Sequence, residues 1–339
     1  MARLIVIAAL VVIPAFGGEW NKRLTAGYMD GRQKDWFAWR PAKAEGGPCL
    51  SCHTGLTYML ARPALRQALH ESAPTSYETG LMDGLRARLL KADPPKDAHD
   101  SQRMGVEAVL SSLLLTDSPQ AFERLWRLQI SEGKDKGAWD WFDLNLNPWE
   151  MPESKFFGVT MAAMAVGSAT PEYRSRPEVR DHVAALIGYL ERERDSQSLH
   201  NKLMLLWAST RLPEVMPAAM RRKVLEDVWR AQQSDGGWTL ESLGPWKEHP
   251  AAPPSAGGSN SYATAVAAFV LQEAAGVKRS NANLGKALDW LCAHQDPKQG
   301  SWQASSMNKK FEPGSMQIQF MNDAATAFAT LALLDGEKD

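Results

Sequence analysis

The apolar positions of this chain fall into two alternating patterns. Residues 221–232 and 283–294 carry one apolar stripe among charged positions, as expected of helices with a single buried face. Residues 156–165, 262–271 and 322–329 are small and apolar nearly all round, which places those helices in an interior. Residues 172–194 and 199–209 repeat the same outer-then-inner order, with the charged run 191–195 as a solvated helix end. Strand-like alternation is scarce. The pattern predicts an all-α protein, a closed or partial barrel of helix hairpins.

Between the two kinds of helix a short motif recurs: a glutamine at the helix end, a few turn formers, then glycine and tryptophan. It reads Gln129 to Gly137-Ala138-Trp139, then Gln232-Gln233-Ser234-Asp235-Gly236-Gly237-Trp238, then Gln295 to Gly300-Ser301-Trp302. The first copy has a longer insertion than the other two. These copies resemble the QW repeat of the squalene–hopene cyclase and oxidosqualene cyclase superfamily, whose α/α-toroid fold is shared with protein prenyltransferase β-subunits. The resemblance covers about residues 101–339. It implies an α/α toroid in which each Gln caps a helix and stacks on the Trp.

The cyclase activity does not carry over with the fold. Neither the D-x-D-D acid of squalene–hopene cyclases nor the D-C-T-A form is present, and 339 residues is about half the length of a two-domain cyclase. The prenyltransferase zinc set of Asp, Cys and His also fails. Cys292 and His294 are two apart on an outer helix and point in different directions, so Cys292 reads as a small buried residue.

Ahead of the repeats lies Cys49-Leu50-Ser51-Cys52-His53, the spacing of a c-type haem attachment site. Cys49 and Cys52 would add to the porphyrin vinyl groups, and His53 would ligate the iron. A Cys49–Cys52 disulfide is the alternative, or zinc with ligands from elsewhere. The chain has three cysteines, and no second Cys or His pair follows at finger spacing. Candidate sixth ligands are Met59, His70, Met82, His99 and Met104; Trp36 and Trp39 are candidates to pack on the macrocycle. Gly46-Gly47-Pro48 would let the chain approach it closely. Residues 54–69, with Pro63 as a kink or restart, and 76–91 read as helices.

The leader has a basic start, an apolar run from Leu4 to Phe16, and Gly17-Gly18, as a secretory signal peptide does. An uncleaved anchor is the alternative, though the run is short of the roughly 20 residues a span needs. Either reading puts the body of the protein outside the cytoplasm, where haem c is attached. A formal net charge of −1 offers nothing to nucleic acid or anionic lipid. The expected organisation is a signal peptide over 1–18, a haem-attaching segment over 19–98 and the toroid over 99–339. Segment 19–98 would instead supply the first hairpin of the ring if it is no separate domain.

The expected function is an exported haem c protein in periplasmic electron transfer, with a redox protein or small apolar molecule as partner. The alternatives are a haem-dependent enzyme on an isoprenoid or lipid, and a haem-free scaffold. Within the toroid, the stretch from Trp139 to Glu150 is the candidate functional surface. Asp140 and Asp143 are its candidate acid and base; the competing reading is a loop that plugs the barrel with its tryptophans and caps the next helix.

Overall fold

A computed structural model describes residues 19–90, 94–247, 249–255 and 257–338; the expected signal peptide at 1–18 lies outside them. Thirteen α-helices are present among the described residues, and twelve of them pair as six hairpins. The outer members are α1 (Lys22–Ala38), α3 (Ser76–Leu89), α5 (Pro119–Arg127), α8 (Pro177–Glu193), α10 (Ala218–Ala231) and α12 (Ala282–Ala293). Their inner partners are α2 (Gly55–Ala68), α4 (Ala98–Leu114), α6 (Lys155–Ser168), α9 (Leu199–Ala208), α11 (Ser261–Ala275) and α13 (Phe320–Gly336). The short α7 (Pro171–Arg174) precedes α8, because Arg176 before Pro177 is extended and cannot continue a helix.

Burial follows the two sequence patterns. Outer α10 buries Val224 and Val228, one turn apart, whereas inner α11 buries nearly every residue. Inner helices touch in the order α4, α6, α9, α11, α13, α2, and all six line a cavity of about 630 Å³ at their C-terminal ends. The architecture is an α/α toroid. No helix among the described residues is long and apolar enough to cross a membrane.

The repeats act as ties between neighbouring outer helices. Each Trp indole donates to the carbonyl four residues before the repeat's Gln: Trp139 to Leu125, Trp238 to Val228 and Trp302 to Leu291, each at 2.7 Å. Each Gln amide donates to its own loop at Gly137, Gly236 or Gly300, and also reaches the next outer helix. Gln129 meets the carbonyl of His182 in α8, and Gln232 that of Asn283 in α12. Gln295 meets Thr25 Oγ1 at 2.8 Å and accepts from the Asn21 amide at 2.7 Å, at the start of α1. The last repeat therefore closes the ring onto the first helix. Each repeat Trp also lies against a second indole: Trp126, Trp229 and Trp20 respectively. Burying an indole of about 200 Å² contributes roughly 5 kcal/mol before chain entropy is subtracted.

Residues 19–98 are part of this ring. Helix α1, which carries no clear apolar stripe in sequence, and helix α2 both pack on α13. Pro63 lies inside α2, which runs through it.

The glycine of each tie touches the next outer helix. At Gly300 (φ +73°) a Cβ would stand 2.4 Å from the Leu24 carbonyl carbon, whereas at Gly314 (φ +77°) it would meet open space. Gly300→Ala is expected to lose more than about 3 kcal/mol in urea unfolding, and Gly314→Ala only the left-handed strain of about 1–2 kcal/mol. Equal losses would show that the α12–α1 contact is dispensable.

Candidate functional site

The Cys49–His53 stretch is built into the wall of the barrel. Two-residue strands, Lys43–Ala44 and Gly47–Pro48, pair antiparallel just before it. Gly46 and Gly47, both at positive φ, press on the Gly80–Ala87 surface of α3 rather than on open space. Arg88 donates to the Glu45 and Pro48 carbonyls, and Cys49 N–H donates to Ala42. Ser51 Oγ then accepts from Thr54 and Gly55 N–H at the start of α2. This delivers His53 to the N-terminal mouth of the inner helices.

His53 is 4% exposed there, stacked on Phe320 with ring centroids 3.5 Å apart and flanked by Trp36 and Trp149. Its Nδ1 lies 2.9 Å from Thr54 Oγ1, and that hydroxyl donates to Asp323 at 2.7 Å. Asp323 also accepts from Tyr28 and twice from Arg32, a buried ion pair. Burial pushes the Asp323 carboxyl up, against the opposing pull of Arg32, Thr54 and Tyr28. A hydroxyl has one proton to give. Because Thr54 gives it to Asp323, the imidazole must donate from Nδ1, which leaves Nε2 with a free lone pair.

That lone pair faces Glu150, whose Oε1 is 4.0 Å from Nε2. The Glu150 side chain is 13% exposed, and burial raises its pKa from 4.5 to about 7. Burial, with Arg32 behind it, lowers that of His53 from 6.5 to about 3. A neutral imidazole thus faces a carboxyl that exchanges its proton near neutral pH.

Two further inner helices bring residues to the same mouth. From α9, His200 Nε2 meets Tyr262 Oη of α11 at 2.7 Å, and burial lowers its pKa to about 4. The Tyr262 ring packs edge-on against Trp149, and His200 lies beside Trp246. Above this cluster a cleft of about 900 Å³ is lined by Asn147, Trp246 and Ile318, among others. Asn147 shares a small hairpin with Glu150 through the Leu146–Glu150 bridge, and Asn308 and the Lys247 carbonyl hold it in place.

The residues singled out in sequence fare differently. Asp140 accepts from Ser101 Oγ at 2.6 Å, lies 3.9 Å from the Lys155 ammonium and is 44% exposed; Asp143 is exposed. Trp139, Trp141 and Trp149 are all buried, Trp139 in a tie and Trp149 at the mouth, and α6 begins at Lys155 with no side-chain cap from Ser154. Trp36 and Trp39 pack on each other, with Trp36 donating to the Cys49 carbonyl. His70 ends α2 exposed at positive φ, and His99 lies on Phe142. His294 stacks on Trp290, and Cys292 is half-buried. Sequence reasoning missed Thr54, Glu150, His200, Tyr262 and Asp323. Glu150 closed the candidate stretch, yet nothing local marked it above its neighbours.

The packing does not fit a haem. Phe320 covers the His53 ring, Glu150 stands before the nitrogen that iron would need, and Cys52 is 2% exposed. The large cavities, of about 1010, 900 and 630 Å³, are lined by other residues. All three cysteines are free thiols, so Cys49 and Cys52 form no disulfide. Among the described residues no three His, Cys, Asp or Glu side chains gather as a metal set.

Neither a family model nor a curated sequence matches this chain. Solved structures do resemble it. A protein of Salmonella enterica subsp. enterica serovar Paratyphi A, described as a possible member of the GH105 family, has a TM-score of 0.53. It is 12% identical, over 99% of this chain and 98% of its own. A second possible GH105 member, from Klebsiella pneumoniae subsp. pneumoniae, has a TM-score of 0.51 and 13% identity, over 98% of each chain. Identities this low establish the toroid fold.

The expected haem c electron carrier is corrected by these findings, together with its alternatives of haem chemistry on a lipid and a disulfide-closed scaffold. The toroid architecture is shared end to end with the two possible GH105 members, and the cysteine–histidine stretch is packed as barrel wall.

The mouth cluster makes stability depend on pH with a calculable sign. Glu150 keeps its proton to about pH 7 when folded but only to 4.5 when unfolded, so stability falls as pH rises through that window. His53 and His200 are depressed, so the unfolded chain takes up their protons first and stability falls as pH drops below 6.5. Two depressed imidazoles outweigh one raised carboxyl, so urea midpoints should fall as pH drops below about 7. Glu150→Gln removes the opposing proton and should steepen that fall near pH 5.5 from about 1.2 to about 2.4 kcal/mol per pH unit. An unchanged slope in the variant would refute the assignment.

Proposed function

We propose that the protein is an exported enzyme that cleaves carbohydrate chains by acid–base catalysis, with Glu150 as the proton carrier. The observation that carries this reading is the facing of Glu150 and the unprotonated Nε2 of His53 in a water-poor aromatic mouth. A general acid works best when its pKa lies near the working pH, and burial brings Glu150 there. Protonated Glu150 would give its proton to the leaving oxygen as the glycosidic bond breaks. A water would then form the new bond to the anomeric carbon and return a proton to the Glu150 carboxylate, with neutral His53 Nε2 accepting a hydrogen bond that orients it.

Three observations support carbohydrate as the substrate. Half-buried Trp246 lines the cleft beside the mouth, and an indole face of this kind stacks on the apolar faces of sugars. The fold is that of possible GH105 members. The apolar leader at 1–18 fits a protein that meets glycans outside the cytoplasm. The QW-type ties support kinship of the ring with cyclase-type toroids, without the acid that a cyclase needs.

The test is oligosaccharide cleavage by the purified chain and by Glu150→Gln, read by product chromatography. The variant is expected to melt cooperatively and to lose about 10²–10⁴-fold in rate, with the limb of the pH–rate profile near 7 gone. Full activity in the variant would sink the assignment. His53→Gln should cost less, about 10-fold or more, through the displaced hydrogen-bond acceptor beside Glu150.

A further inference from the structure

The cleft above Glu150 carries a charge that the whole chain does not. Lys247, Lys309 and Lys310 line it, against Glu241 as the carboxylate among its lining residues. Among the described residues no acid pairs with any of these three lysines, and Lys309 lies over the Phe311 ring. Glu241 is engaged with Ser255 Oγ, which holds its pKa down against burial, so it stays ionised without neutralising a lysine. Among the described lining residues the excess is two positive charges in a concave space, in a protein of formal net charge −1. Concave low-dielectric walls focus such a field on an incoming ligand.

The polar groups beside the lysines suit a sugar chain better than a lone anion. Trp246 offers an indole face, and Asn147 and Asn308 hold each other across the cleft floor. The floor is continuous with the mouth cluster by three routes: Asn147 to Glu150, Trp246 to His200, and Ile318 to Phe320 two residues on.

We propose that this cleft selects anionic carbohydrate, with Lys247, Lys309 and Lys310 reading carboxylate or sulfate groups on the units that flank the bond presented to Glu150. The proposal rests on the carbohydrate reading of the mouth. Lysine ammoniums act as point charges and do not demand one planar geometry, so uronate and sulfate share this chemistry.

The test separates binding from turnover. Calorimetry on the full chain compares a uronate oligosaccharide, a sulfated one and a neutral one of equal length, at low and high salt. One or both anionic ligands should bind about tenfold or more tightly than the neutral one, and the advantage should fade at high salt. The double variant Lys309→Gln/Lys310→Gln should lose most of that advantage, while Lys298→Gln, an exposed lysine outside the cleft, should keep it. The stronger of the two anionic arms identifies the group that is read. Equal binding of neutral and anionic ligands, or an unaltered preference in the double variant, would overturn the proposal even if Glu150 proves essential for cleavage. Selective anionic binding with no cleavage of any ligand would overturn the catalytic reading and leave the cleft assignment standing.

Discussion

The hydrogen bonds between the repeat glutamines and the next outer helix are the constraint on which the structure depends. A helix hairpin with an apolar inner member cannot bury that member alone; it needs a neighbour on each side. Gln129, Gln232 and Gln295 each bind their own turn and the following outer helix, and the matching tryptophan locks the turn to the helix just left. The first two ties join α5 to α8 and α10 to α12. The third joins α12 to α1 and so links the last hairpin to the first, which gives the inner helices a common axis and an N-terminal mouth.

The ring is also what gives the mouth its chemistry. His53, Glu150, His200, Tyr262 and Asp323 lie far apart in sequence and meet because five inner helices, or the loops that lead into them, end at one place. Enclosure by Phe320, Trp36 and Trp149 strips water from the site, which raises a carboxyl and lowers an imidazole at once. The Arg32–Asp323–Thr54 chain then fixes which imidazole nitrogen carries its proton. Desolvation at a closed axis is the largest cause for both shifted groups, with Arg32 adding to it at His53.

The pentapeptide from Cys49 to His53 shows how a strong local motif can be read apart from its setting. Its spacing suits a haem, and its glycine-rich approach suits a flat ligand. In the folded chain those glycines approach α3, and the imidazole is spent on a stacking contact and a hydrogen-bond chain. Asp140 and Asp143 lie on the right stretch of chain, but the residue that the fold turns inward is Glu150.

The sequence by itself determined the helices and their layering. The one-striped runs became outer helices and the small apolar runs inner ones, because helical periodicity and side-chain size act over a few residues. It also determined the ties, since a Gln at the helix end and a Gly and Trp after the turn meet in the same hydrogen bonds although the turns differ in length. Only the tertiary structure decided that α1 and α2 complete the ring, that Glu150 faces His53, and that three lysines crowd one cleft. These depend on contacts between residues up to hundreds of positions apart, and no local pattern encodes the shared exclusion of water that gives them their properties.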